Sequence, residues 1–282
     1  MAAPLTRYPP FNMRSRRAHT VGSPHSPTAH AASRAVRASR VSKRYEWLST
    51  RPLHILTFIV PFMVFYWVGS AMFLSQQGAI EAIKAERILG GFFVAFGAAG
   101  PYLSGLALLA VLVVWHVFVG DRWRVQPRVV GIMAIESALW ALPLLLLIAM
   151  MPGGAGLVQP DPGASAAWTA RLTISIGAGI YEELLFRMVL IAAVHFLLVD
   201  FVGLASQKGN VIAVILAALA FAVYHDEVVV AGAIRWSPLA TYFAAGVYLG
   251  VLYLWRGFGI AVGAHAVYDI VVLVFLQGGA AG

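Results

Sequence analysis

Three short polar groups interrupt the apolar C-terminal half of this 282-residue chain: Tyr181-Glu182-Glu183-Leu184-Leu185-Phe186-Arg187, Phe221-Ala222-Val223-Tyr224-His225 and His265-Ala266-Val267-Tyr268-Asp269. An ionisable group inside an apolar helix costs at least about 2.5 kcal/mol near the bilayer centre, so such groups need partners and often mark function. Glu183 and Arg187 stand four apart, share a helix face and can pair. That leaves Glu182, about 100° round the helix, free to point elsewhere. His265 and Asp269 also stand four apart and present one polar patch a single turn tall. Taken singly, each group has a plain structural reading: a juxtamembrane ion pair, a packing histidine, a hydrogen-bonded pair between helices. Together they suggest hydrolysis. A carboxylate can hold and deprotonate water, and a histidine beside it can orient that water or shuttle its proton. A second histidine with an aspartate can bond a developing oxyanion, provided a proton is there to donate.

The elements that must carry these residues are membrane helices. The chain is 60% hydrophobic and 11% charged, against roughly 25% charged for soluble domains. Too few polar groups remain to cover a water-facing surface, and a bilayer is the simple solvent. Apolar runs near 20 residues predict an all-α polytopic transmembrane bundle of about eight helices: Leu53 to Leu74, Ile88 to Val119 (interrupted at Gly100-Pro101), Val129 to Met151, Trp168 to Phe186, Met188 to Leu204, Val211 to Ala231, Pro238 to Trp255 and Phe258 to Leu276. Seven remain if 188–204 is re-entrant. Gly246/Gly250 and Gly259/Gly263 have the spacing that lets helix backbones approach closely.

Ten of the 20 Lys and Arg residues lie at or before Arg51. Residues 1–44 read as a disordered basic tail attracted to anionic lipid, and 45–282 as the membrane domain. A start at Met13 is a second reading of the tail. Its lack of interleaved aromatics gives no support for nucleic acid as a partner. No secretory signal is expected, because the first apolar run is long enough to span. The basic bias puts the N-terminus in the cytoplasm of an integral protein, with a bacterial cell membrane as the expected location. With eight spans, all three polar groups then fall in the cytoplasmic half. No cysteine is present, which excludes disulfides, thiolate metal sites and a cysteine nucleophile.

The motif EExxxR, then FxxxH, then HxxxD, in order on separate apolar segments, resembles the CPBP (Abi) family of intramembrane glutamic endopeptidases, which includes the Rce1-type CaaX prenyl proteases. The matching residues are Glu182, Glu183 and Arg187, then Phe221 and His225, then His265 and Asp269. The resemblance covers a core of roughly 165–276. It implies Glu182 as general base, His225 positioning the water, His265 and Asp269 facing the scissile carbonyl oxygen, and Glu183, Arg187 and Phe221 as support. Neither a cofactor nor a metal is implied, and the substrate would be a membrane-associated protein or peptide. The last motif residue is Asp here, where the prenyl proteases carry Asn. An Asn amide donates directly, whereas Asp donates only when protonated. Three other readings compete. Zinc held by Glu182, His225 and His265 with Asp269 would make a metalloprotease. A non-catalytic scaffold or immunity protein would use the cluster only to hold helices. A transporter would use it as a proton relay, although no inverted repeat is evident.

Overall fold

A computed structural model describes residues 41–74, 83–98, 100, 102–151 and 168–276. Most of the 1–44 tail, Pro101, the 152–167 connection and the first residues of the 165–276 core lie outside the described residues. The chain forms two units, Met1–Lys43 and Arg44–Gly282. In the first, only 41–43 are described; they are helical and exposed.

The second unit is all-helical apart from one small hairpin. Its helices are α1 (Pro52–Leu74), α2 (Lys84–Ala95), α3 (Leu103–Val119), α4 (Pro127–Met150), α5 (Trp168–Phe201), α6 (Ser206–Tyr224), α7 (Trp236–Arg256) and α8 (Phe258–Leu276). Strands Val229–Val230 and Ala233–Ile234 pair antiparallel between α6 and α7. Among the described residues, six helices are long and apolar enough to cross a membrane: α1 and α4 to α8. The 17-residue α3 is apolar but shorter. Local sequence sets several ends. Pro52 and Pro127 open α1 and α4, where a missing N–H costs nothing. Gly120, at φ 70°, closes α3 in the left-handed cap. Gly257, at φ 86°, is the single residue joining α7 to α8.

Large apolar side chains cover the outside. Leu139, Leu142 and Leu146 on α4 are 58%, 54% and 64% exposed. In water such stripes would aggregate; against lipid tails they need no cover. The chain is an integral membrane protein built as a helical bundle. Small residues set its tightest crossings. A Cβ at Gly179 would lie 2.8 Å from the Ala266 backbone nitrogen, so α5 and α8 nearly touch. The Gly246/Gly250 face packs on Ala218 and Val214 of α6, and the Gly259/Gly263 face on Met133 and Ser137 of α4.

Segment 188–204, expected as a separate thin span or re-entrant stretch, belongs largely to α5. Helix α5 runs unbroken for 34 residues, with π-helical stretches at Leu184–Ile191 and Phe196–Phe201. The charge of Arg187 suggested a boundary, but the side chain is 1% exposed and paired with Glu183, so the helix continues through it. Expected span Ile88 to Val119 divides into α2 and α3, with Gly97 at φ 77° in the break. Merging two expected spans reverses the direction assigned to every later helix. Arg256, expected opposite the Arg122–Arg128 end, instead bonds Ser49 and Glu136 near Arg51 and Asp121. The start of α7, next to Arg235, lies at the other end, where Lys84 bonds Asp226.

Candidate active site

Helices α5, α6 and α8 bring the three polar groups together, as their order in the sequence suggested. Glu183 is fully buried, and its Oε1 lies 2.8 Å from Arg187 Nη1, one turn along α5. Arg187 also donates to the Gly246 carbonyl of α7 at 3.4 Å and sits 4.4 Å over the Phe221 ring of α6. One buried cation thus ties three helices, and its partner carboxylate escapes the cost of an unpaired buried charge.

That same Glu183 oxygen accepts from His265 Nδ1 at 2.8 Å. The bond fixes the ring and assigns a proton to Nδ1, because a carboxylate held by Arg187 is an acceptor. Nε2 is thereby turned toward two other carboxyl groups, Asp269 Oδ2 at 3.6 Å and Glu182 Oε2 at 3.8 Å. Both distances exceed a hydrogen bond, so the groups surround a shared space without closing it. Glu182 is held from its other oxygen: Tyr224 O–H donates to Oε1 at 3.2 Å and accepts the Ala85 N–H at 2.9 Å.

His225 follows the last residue of α6. Its Nδ1 bonds the Phe221 carbonyl at 2.8 Å, which leaves Nε2 as the free nitrogen. The ring stacks on Tyr242 of α7, with centroids 3.7 Å apart and planes 15° from parallel. Phe221 packs edge-on against Phe186 and His225, so it spaces the elements rather than reacting. A cavity of about 350 Å³ is lined by Glu182, His225, His265, Asp269, Tyr242 and Tyr268, with apolar walls from α4 and α8. Exposed Glu227 also lines it, so the cavity reaches the hairpin end of the bundle, away from Arg51 and Asp121. The eight-span reading places the site at the Arg51 end of the bundle, whereas this cavity opens at the opposite end.

All seven site residues expected from sequence meet in this one region. Tyr224 and Tyr242 were not singled out. Tyr224 adjoins His225, which was the available signal; Tyr242 carried none, since its role depends on how α7 packs. Among the described residues, no group of three His, Asp or Glu side chains is placed to hold a metal ion.

Residues 164–271 match a family model described as type II CAAX prenyl endopeptidase Rce1-like. No curated protein and no solved structure matched the chain. The match contains all three polar groups and the helices that carry them up to residue 271, and its family is one of proteases. Over that segment the chain is similar to the Rce1-like family.

Proposed function

We propose that the chain is a glutamic-type intramembrane endopeptidase that cleaves a membrane-associated protein or peptide. The observation that carries this reading is the division of labour between adjacent glutamates. Glu183 is spent on Arg187 and His265 Nδ1, while Glu182 faces the cavity with one oxygen oriented by Tyr224. A water beside Glu182 gives its proton to the carboxylate as its oxygen adds to the scissile carbonyl carbon. His225, with Nε2 free as an acceptor, holds that water in line. The carbonyl oxygen becomes an oxyanion facing the Asp269 carboxyl and His265 Nε2, which donates when the ring carries a second proton as imidazolium. Collapse of the tetrahedral intermediate breaks the C–N bond, and Glu182 returns its proton to the leaving amine.

The test compares wild type with Glu182→Gln, a near-isosteric change. Membrane-protein termini are profiled in cells expressing each, and a peptide spanning a wild-type-dependent cut is assayed with purified protein. Glu182→Gln should unfold at the wild-type temperature and cleave about 10²–10⁴-fold more slowly. Undiminished cleavage by the folded variant refutes the glutamic mechanism. Loss of wild-type cleavage on chelation, restored by zinc, would favour the metalloprotease reading.

A further inference from the structure

A second cavity, of about 610 Å³, lies at the other end of the bundle, where 44–53 meets the α3–α4 connection. Arg44, Arg51, Arg122 and Arg124 line it, and Asp121 is the one carboxylate among its lining residues. Asp121 is already engaged by Arg51 Nε at 2.5 Å. The lining therefore carries a formal excess of three positive charges.

Two buried histidines in the same lining have ring nitrogens with no hydrogen-bond partner among the described residues. His116 is 1% exposed and neither ring nitrogen has a hydrogen bond. His54 is 3% exposed; its Nε2 faces the Gln126 N–H at 3.3 Å, and its Nδ1 is unpartnered. Since His54 Nε2 accepts, its proton must sit on Nδ1. In either tautomer His116 also has one N–H without an acceptor. Buried donors are almost always satisfied, and an exception calls for an explanation. Both histidines belong to the lining of a cavity whose guanidinium groups match an oxygen-rich anion.

We propose that this cavity binds the phosphate of an anionic lipid headgroup. Free phosphate offers the same chemistry, but the setting favours lipid. Trp47 and Trp123, 53% and 62% exposed, flank the cavity region, and Phe118 one turn back is 85% exposed. Exposed indoles at the ends of apolar helices belong at headgroup depth. The site is separate from the catalytic cavity and needs no assumption about what that cavity does.

Purified full-length protein in a neutral detergent is titrated with short-chain phosphatidylglycerol, short-chain phosphatidylcholine and inorganic phosphate while thermal unfolding is followed. Phosphatidylglycerol should raise the unfolding temperature saturably. Arg122→Ala/Arg124→Ala, two exposed positions, should leave the lipid-free unfolding temperature unchanged and weaken apparent phosphatidylglycerol affinity at least tenfold. Equal shifts with phosphatidylcholine, or an undiminished response in the double-arginine variant, overturn the proposal. An equal, arginine-dependent shift with inorganic phosphate overturns the lipid source.

Discussion

His265 has one nitrogen committed to Glu183 and one facing Glu182 and Asp269, so the role of Asp269 reduces to what it offers at that shared space. In the proposed mechanism, Asp269 as a carboxylic acid would donate to the oxyanion beside His265. As a carboxylate it only accepts from His265 and opposes the developing charge. Asn keeps the size and supplies a permanent donor. Asp269→Asn should therefore retain cleavage within about tenfold, while Asp269→Ala loses about 10²–10³ in kcat, the usual cost of one oxyanion donor. If Asn is as damaging as Ala in kcat measurements on folded protein, Asp269 serves as an anion that orients His265. The principal polar residues were legible because apolar sequence makes every ionisable group conspicuous. Tyr242 was not, because its stacking on His225 depends on the crossing of α6 and α7 rather than on any spacing within one segment.

Helix contact, rather than propensity, holds the polar groups together. Adding one methyl at Gly179 places it 2.8 Å from backbone and side chain of Ala266, next to His265. The helices must part, and the 2.8 Å bond between Glu183 and His265 stretches with them. Gly179→Ala should cost about 1–3 kcal/mol of stability, the usual range for overpacking, and lower cleavage as well. Gly131→Ala on α4, where a Cβ meets nothing within 4 Å, should be neutral or slightly stabilising. Equal unfolding temperatures for the two variants would mean that α5 and α8 have slack. The Gly246/Gly250 and Gly259/Gly263 contacts were readable at this scale, since small residues at four-residue spacing have few other uses in an apolar helix. The continuity of α5 was not. A run count treats Arg187 as a stop, and only the partner Glu183, the Gly246 carbonyl and the Phe221 ring allow that charge inside a continuing helix.

Over the whole molecule, the continuity of α5 decides at which end of the bundle the cavity beside Glu182 opens. Arg122, Arg124 and Arg128 lie at the end of the bundle where α1 begins and α7 ends. Glu227 and the hairpin lie at the end where α6 finishes and α7 begins. The two ends sit on opposite faces. On the proposal that the excess of Lys and Arg through Arg51 and in the α3–α4 connection marks the cytoplasmic side, the first end faces the cytoplasm. On that same proposal the cavity reaches toward the outer face. The chain has no cysteine, so single replacements report cleanly. In cells treated with a membrane-impermeant maleimide, Val230→Cys on the hairpin, 46% exposed, should label without lysis. Arg128→Cys, exposed at the start of α4, should label only after lysis. Labelling of both from one face would break the α5 continuity on which the reversed helix directions rest. Labelling from opposite faces but in the reverse sense would keep the fold, place the cavity mouth in the cytoplasm, and show that the basic bias misassigns the direction of insertion.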